Sequence, residues 1–265
     1  MKERAKKHRS YMRFSQRLVD LARQAGTLEL RSFGEIAHRG KIHPLWVVES
    51  PSGRGKKTVC LSAGIHGDEP AGVEAVLQWM AELGKDKALL EGFQFTLFPC
   101  INPVGYEHDM RQNGSRIDLN REFDKDAPQS EIRLLKAAVA GRRFDFSYEC
   151  HEDVDAPGYY LYEMSRNGRK GIGREIIRDV QSICPIHTAE IIEEMPARMG
   201  YIHASDMLPA VFWERIKRRG GWPQTVYFSE NGTGICITAE TPTRLEMARR
   251  VRAHLAAIET ALNLI

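Results

Sequence analysis

Short apolar runs alternate with amphipathic segments along this chain, and that alternation restricts its fold more than any other feature. Four runs have the character of buried strands, at 58–63, 93–99, 144–150 and 235–239. Each is followed by a segment with helical periodicity, at 70–83, 130–140, 172–182 and 244–262. This order predicts an α/β fold with a mixed, mainly parallel central sheet and helices on both faces. Because no internal repeat or linker is visible, we expect residues 1–265 to form one domain.

The remaining segments give shorter signals. A helix is predicted at 13–25, where Gly26 supplies a stop, and further strands are predicted at 28–33, 44–48 and 159–162. The stretch 102–128 has no apolar periodicity and is rich in Arg and Asn. A loop of this length inside a compact domain is often functional, and its guanidinium and amide groups suit the binding of a carboxylate.

The charge of the chain excludes several classes of protein. Lys and Arg number 38 and Asp and Glu 35, a net charge of +3, and the basic residues at 2–9 are the main local excess. That distribution is not the basic face of a nucleic-acid-binding protein. No run of 18 apolar residues exists, so we expect no membrane span, and because the basic N-terminus lacks an apolar stretch we expect no secretory signal. The five cysteines are scattered singly, which predicts buried free thiols and a cytoplasmic location.

Ionisable side chains follow three of the predicted strands, at the point where each strand ends. His66 and Glu69 come after the first strand, His151 after the third and Glu240 after the last. In open α/β sheets ligands bind beyond the carboxyl ends of the strands. Two His and one Glu, with a position left open, are the ligands of a catalytic zinc ion. The sequence therefore predicts one zinc ion per chain, with Glu240 as a general base.

Each of these residues also has an explanation that needs no metal. Glu69 at a helix start could complement the helix dipole, and so could Glu240 before Pro242. His151 could be a buried histidine at the end of a strand, and the arginines of 102–128 could form ion pairs at the surface.

Five segments, taken together and in this order, resemble the signatures of zinc carboxypeptidases of the carboxypeptidase A type. They are Gly64-Ile-His66-Gly-Asp-Glu69, Asn102-Pro-Val-Gly-Tyr-Glu, Ile117-Asp-Leu-Asn120-Arg121, His151-Glu-Asp and Ile237-Thr-Ala-Glu240-Thr-Pro. The resemblance extends from about residue 58 to 242. It points to a compact bacterial branch of that superfamily, near the succinylglutamate desuccinylase and aspartoacylase branch.

The resemblance implies a role for each matching residue. His66, Glu69 and His151 would be the zinc ligands, and Glu240 the base and proton shuttle. Arg111, nine residues before Asn120, would polarise the scissile carbonyl. The substrate carboxylate would be bound by Asn120 and Arg121. Arg116 is a rival for the polarising role, and Tyr227 is the Tyr in the near upstream stretch that could cap the substrate.

The activity implied is that of a cytoplasmic metallocarboxypeptidase, a zinc hydrolase that removes the C-terminal amino acid of a peptide. Its partner would be a peptide or small amide with a free carboxylate, and neither nucleic acid nor a membrane is expected. Two alternatives share this chemistry: an N-acyl amino acid amidohydrolase of the aspartoacylase type and a murein peptide amidase. A non-catalytic binding protein on the same scaffold is a further alternative.

Overall fold

A computed structural model describes residues 8–166 and 171–265 of the chain. Its helices are α1 Tyr11–Ala25, α2 Pro70–Leu83, α3 Lys87–Gly92, α4 Pro103–His108, α5 Ser130–Ala138, α6 Gly173–Val180, α7 Pro209–Arg218, α8 Gln224–Glu230 and α9 Met247–Leu264. Its strands are β1 Glu29–His38, β2 Lys41–Glu49, β3 Lys57–Ala63, β4 Phe93–Phe98, β5 Phe146–Asp153, β6 Tyr160–Ser165, β7 Ile191–Ile192, β8 Met195–Pro196, β9 Tyr201–His203 and β10 Ile235–Pro242. Two 3-10 turns cover Leu119–Arg121 and Ala204–Asp206.

Eight strands form one mixed sheet in the order β1-β2-β4-β3-β5-β10-β6-β9. The neighbours β4, β3, β5 and β10 run parallel and form its centre. On one side β2 and β1 are antiparallel to their neighbours, and on the other side β6 is antiparallel to β10. The prediction of a mixed sheet with a parallel core is confirmed.

Alternate residues of the central strands belong to two hydrophobic cores, one on each face of the sheet. Leu61 and Tyr148 pack in a core that also contains residues of α1, α2, α6 and α9. Cys60 and Cys236 pack in a core that contains residues of α5 and α8. Because side chains alternate along a strand, continuously apolar strands need helices on both faces, as the structure has them.

The structure extends the sequence prediction in two places. The stretch 102–128 contains the short helix α4 and the turn Leu119–Arg121. The region between 183 and 230 was not assigned from the sequence, and it contains β7, β8, β9, α7 and α8. The strand β9 is at the edge of the large sheet, and β7 and β8 form a separate two-stranded sheet. These strands have two or three residues each, too few for apolar periodicity to identify them.

Two further expectations concern the whole chain. All five cysteines are buried and free, as predicted. No helix of the described residues is long and apolar enough to cross a bilayer.

Candidate active site

The parallel centre of the sheet brings the predicted ligands together. His66 and Glu69 lie in the turn between β3 and α2, and His151 lies in β5, the next strand of the sheet. Glu240 of β10 stands directly opposite His151 in the parallel register. The carboxyl ends of three adjacent strands therefore carry the four side chains at one edge of the sheet.

Donor atoms of three side chains converge at this edge. Nδ1 of His66 lies 2.7 Å from Oε1 of Glu69, and Nδ1 of His151 lies 2.8 Å from Oε2 of Glu69. The two Nδ1 atoms are 3.2 Å apart. All three residues are at least 96% buried. Bonds of about 2.05 Å in tetrahedral zinc sites separate neighbouring ligand atoms by about 3.3 Å, which the Nδ1–Nδ1 distance matches, whereas the shorter distances to Glu69 are those of hydrogen bonds.

Asp118 orients the His66 ring, and sequence reasoning did not single it out. Nε2 of His66 donates to Oδ1 of Asp118 at 3.0 Å, which leaves Nδ1 facing Glu69 and His151. The other oxygen of Asp118 accepts from Nε and an NH2 group of Arg111 at 3.2 and 3.1 Å. The available signal was its place directly before Leu-Asn-Arg, since metal-binding histidines commonly donate their second nitrogen to a carboxylate.

The charges of the cluster change its pKa values. Burial acts to raise the pKa of Glu69, but the neighbouring imidazoles outweigh it and bring the pKa to about 2. Burial acts to lower the pKa of His66. The carboxylates of Glu69 and Asp118 outweigh this effect, so the pKa of His66 is raised. For His151 burial dominates and lowers the pKa. A site that keeps Glu69 ionised is suited to a cation.

A second hydrogen-bonded group fixes the start of α2. The backbone N–H of Glu152 donates to Oε2 of Glu69 at 3.1 Å. The side-chain carboxylate of Glu152 accepts from the backbone N–H of Ala71 at 2.6 Å. The same carboxylate forms a buried ion pair with Arg250 of α9. Glu152 thus joins β5, the first turn of α2 and the C-terminal helix directly beside the predicted ligands.

The Asn-Pro-x-Gly segment supports the loop that carries His66. Oδ1 of Asn102 accepts from the backbone N–H of Gly105 at 2.8 Å and caps α4. Its Nδ2 donates to the carbonyl oxygens of Ile65 and Arg111, both at 3.3 Å. A Cβ on Gly67 would lie 1.9 Å from the backbone of Gly105, so the two loops approach as closely as only glycine allows.

Glu240 lies half-buried in the wall of a cavity of about 590 Å³, a size suited to a small ligand. Burial raises the pKa of Glu240 well above its ordinary value, and the negative charges of Glu69 and Asp153 act in the same direction. The same cavity is lined by His66, Glu69, Arg111, Asn120 and Arg121.

The predicted carboxylate-binding pair is held by backbone groups. Oδ1 of Asn120 accepts from the backbone N–H of Gln224 at 2.8 Å. Arg121 donates from Nε to the carbonyl of Arg219 at 2.9 Å and from NH1 to the carbonyl of Asn120 at 2.6 Å. These bonds fix the guanidinium at the cavity without an ion pair to any carboxylate of the described residues.

Two predicted residues do not line the cavity. Arg116 is exposed and occupies a left-handed turn with φ of 64°. Tyr227 lies on α8, where its ring contacts the ring of Phe123 at 5.4 Å and the ammonium of Lys136 at 5.3 Å. Neither residue is among those that line the cavity, and the substrate-binding role of each stays a prediction.

Known proteins match this chain over different lengths. The family described as "Succinylglutamate desuccinylase/Aspartoacylase catalytic domain" matches residues 55–156. "Carboxypeptidase SOL1" of Arabidopsis thaliana is 28% identical over 128 residues, which are 41% of this chain and 26% of that protein. The chain thus spans about a quarter of the length of that curated relative.

Solved structures match almost the whole chain. A candidate metallopeptidase from Shewanella amazonensis superposes with a TM-score of 0.81 and 23% identity, over 99% of this chain and 98% of that one. Carboxypeptidase A from Helicoverpa armigera superposes with a TM-score of 0.72 and 15% identity, over 97% of this chain and 73% of that one. The chain therefore has the fold of these solved structures, and its residues 55–156 are similar to the succinylglutamate desuccinylase/aspartoacylase catalytic domain.

Proposed function

We propose that the protein is a zinc-dependent metallocarboxypeptidase that releases the C-terminal amino acid of a peptide. One observation carries the proposal: the cavity wall that contains Glu240 and Arg121 also contains His66 and Glu69, which form a donor cluster with the buried His151. A metal site, a carboxylate base and a guanidinium for the substrate are the three parts that hydrolysis beside a free carboxylate requires.

Arg121 and Asn120 are assigned to the terminal carboxylate. The guanidinium has two parallel N–H groups that match the two oxygens of a carboxylate, and its described partners are backbone carbonyls. Its charge is therefore available to a substrate. Asn120 also lines the cavity, and because its Oδ1 already accepts a hydrogen bond, its NH2 group is the part of the side chain that would donate to a substrate.

Glu240 and Arg111 are assigned to the chemical step. When bound at the cluster, zinc would supply a Lewis acid for the carbonyl and make a water molecule more acidic. Glu240 accepts the proton of the attacking water and delivers it to the leaving amine. Arg111 directs its guanidinium toward Glu69, with NH1 3.5 Å from Oε1, and is placed to stabilise negative charge on the carbonyl oxygen.

The second candidate function is an N-acyl amino acid amidohydrolase. It is favoured by the match of residues 55–156 to the desuccinylase/aspartoacylase family. Both candidates use the same cluster and base, and they differ in the group attached to the released amino acid. A murein peptide amidase is a third substrate class for the same site.

Hydrolysis of matched substrates tests the proposal. The zinc-loaded protein is assayed with blocked dipeptides, N-acyl amino acids and a peptide that ends in diaminopimelate, with Glu240→Gln as the control. We expect release from blocked dipeptides, lost by about 10²–10⁴-fold in Glu240→Gln although its zinc content is unchanged. Activity confined to N-acyl amino acids would support the acylase. Full activity of a zinc-loaded Glu240→Gln protein would exclude the mechanism.

We further propose that residues 1–265 act as one catalytic domain in the cytoplasm. The five buried thiols, none of them in a disulfide, support a reducing compartment. Limited proteolysis that leaves the chain whole, and localisation of a tagged chain, test these two statements.

A further inference from the structure

Arg9 belongs to the basic run 2–9, yet its guanidinium is largely buried beside the candidate active site. The side chain is 15% exposed. NH2 of Arg9 donates to Oδ1 of Asp109 at 2.6 Å, and Asp109 lines the cavity that contains Glu240. Arg9 itself is not among the described residues that line this cavity. It therefore acts on the cavity only through the groups that it holds.

The same guanidinium joins two loops of the site. NH1 of Arg9 donates to the carbonyl oxygens of Gly67 and Tyr106, both at 3.2 Å. Gly67 lies in the turn that carries two of the predicted ligands, and Tyr106 lies in α4. The backbone N–H of Arg9 donates to the carbonyl oxygen of Glu107, also in α4, at 3.0 Å. Arg9 thus bridges the ligand turn and the end of α4.

Arg111 follows the segment that Arg9 holds. Asp109 ends α4 in a left-handed conformation, with φ of 52°, which a residue other than glycine rarely adopts without support from its surroundings. Its ion pair with Arg9 supplies such support and fixes the backbone just before Arg111. The Arg111 side chain is 45% exposed, so packing restrains it little and its position depends on where its backbone begins.

The pairing of Arg9 with Asp109 also removes a competitor for Arg111. The Asp109 side chain is 6% exposed, and without Arg9 its carboxylate would attract the nearest guanidinium along the chain, which is that of Arg111. Arg111 pairs with Asp118 and Glu69, at nitrogen–oxygen distances of 3.1 and 3.5 Å. A bond from Arg111 to Asp109 would compete with both of these contacts.

We propose that Arg9 is a positioning residue of the site, which places the guanidinium of Arg111 relative to the ligand turn. This inference rests on the proposed function, in which Arg111 stabilises negative charge on the carbonyl oxygen. A misplacement of about 1 Å among reacting groups lowers the rate by about 10²-fold, so a residue that never contacts the substrate can control kcat. The segment before α1 is then part of the catalytic unit.

Kinetics of zinc-loaded variants test the coupling between Arg9 and Arg111. Arg9→Met removes the bridge, whereas Arg13→Met makes the same change at an exposed arginine of α1. We expect Arg9→Met to lower kcat for a blocked dipeptide by about 10–100-fold and to change KM by less than about 3-fold. Arg13→Met should change neither constant. Equal kcat values of these two variants would overturn the inference.

A double variant distinguishes positioning from a general structural role. Because Arg9 acts through Arg111, Arg9→Met combined with Arg111→Met should be no slower than Arg111→Met alone. Losses of kcat that multiply in the double variant would overturn the inference.

Arg9→Lys gives the same comparison if Arg9→Met does not fold. A single ammonium keeps the charge beside Asp109 but lacks the planar fork that reaches Asp109 and Gly67 together. We expect kcat to fall by about 10-fold, and this loss should disappear when Arg111 is already Met. An unchanged kcat of Arg9→Lys in that case would overturn the bridging role.

A measurement without turnover separates this inference from the proposed activity. Nε of Arg111 donates to Asp118 at 3.2 Å, and the nitrogen-15 NMR signal of this N–H is assigned by its absence in Arg111→Met. We expect Arg9→Met to shift the signal and Arg13→Met to leave it in place. A shifted signal in a protein that hydrolyses no peptide would mean that the proposed activity is wrong and the positioning role stands. If peptides are hydrolysed and Arg9→Met changes neither the signal nor kcat, the activity stands and the positioning role is wrong.

Discussion

Asp118 accepts a hydrogen bond from Nε2 of His66 at 3.0 Å, and this contact decides which nitrogen of the histidine faces the donor cluster. The imidazole is 97% buried, so solvent has little access to take the place of that acceptor. Arg111 donates a hydrogen bond to the other oxygen of Asp118. The Asp118 carboxylate therefore also connects the donor cluster to Arg111, the residue assigned to polarise the scissile carbonyl. One side chain outside the ligand set thus positions two functional groups.

Removing the charge of Asp118 is expected to weaken zinc binding. Asp118→Asn keeps the size of the side chain but removes the carboxylate that fixes His66, and loss of such a partner typically costs about 10–100-fold in metal affinity. Competition with a chromogenic chelator measures the affinity. Asp126→Asn, at an exposed position of the same loop, is the control. Equal zinc affinity of the two variants would contradict the orienting role.

Arg121→Met is expected to raise KM for peptides with a free terminus. A charged hydrogen-bonding partner contributes about 1.5–3 kcal/mol, or roughly 10–100-fold in binding. The variant should also lose the discrimination between a free carboxylate and a C-terminal amide. Steady-state kinetics with both peptide forms measures this, and Arg116→Met, which alters an exposed arginine outside the cavity, serves as control. If Arg116→Met has the larger effect, the assignment of the arginines is wrong.

Arg111→Met is expected to lower kcat more than it raises KM. A preorganised donor to a developing oxyanion contributes about 10²–10³-fold in kcat, whereas a ground-state carbonyl gains less from it. Zinc content is measured in parallel, because Arg111 also touches Asp118. A rise in KM with unchanged kcat would instead place Arg111 among the groups that bind the substrate.

The Glu152–Arg250 pair is expected to stabilise the fold around the site. The two side chains are 0% and 6% exposed, and breaking a buried pair leaves an uncompensated charge. Glu152→Gln or Arg250→Met alone should lower the free energy of unfolding by about 3–5 kcal/mol, and the double variant by less than the sum. Urea unfolding of the zinc-loaded proteins measures the cycle. The more exposed pair Arg17–Glu74 provides a reference cycle, with an expected coupling below about 1 kcal/mol. Additive effects at Glu152 and Arg250 would exclude the coupling.

Glu49 makes the free energy of unfolding depend on pH in the acid range. Burial acts to raise its pKa, but hydrogen bonds from Arg31 and Arg142 outweigh it and hold the pKa below the ordinary value of 4.5. Since the unfolded state then binds the proton more readily, the stabilisation is present above pH 4.5 and is lost as the pH falls through the folded-state pKa. Glu49→Gln should cost about 1 kcal/mol at pH 7 and progressively less below pH 4.5. Glu35→Gln, at an exposed position of β1, should cost little at either pH. If Glu49→Gln lowered the free energy of unfolding by the same amount at pH 7 and at pH 3, the prediction would be contradicted.

The sequence by itself determined the layered fold and the candidate ligands. Apolar runs such as 58–63 and 144–150 have no polar face, so they must be buried on both sides, and that requires a parallel centre with helices above and below. Polar residues directly after such runs must then meet at one edge of the sheet. The positions of His66, Glu69, His151 and Glu240 follow from these two facts.

Only the tertiary structure decided which other side chains reach that edge. Asp118 lies 52 residues from His66, and Arg250 lies 98 residues from Glu152, so no local pattern links them. The sequence also did not show that Arg116 and Tyr227 lie outside the cavity. Both are close to site residues along the chain or match the spacing of a motif, and neither property fixes the direction of a side chain. Side-chain direction and long-range packing, which depend on the whole chain at once, determine these features.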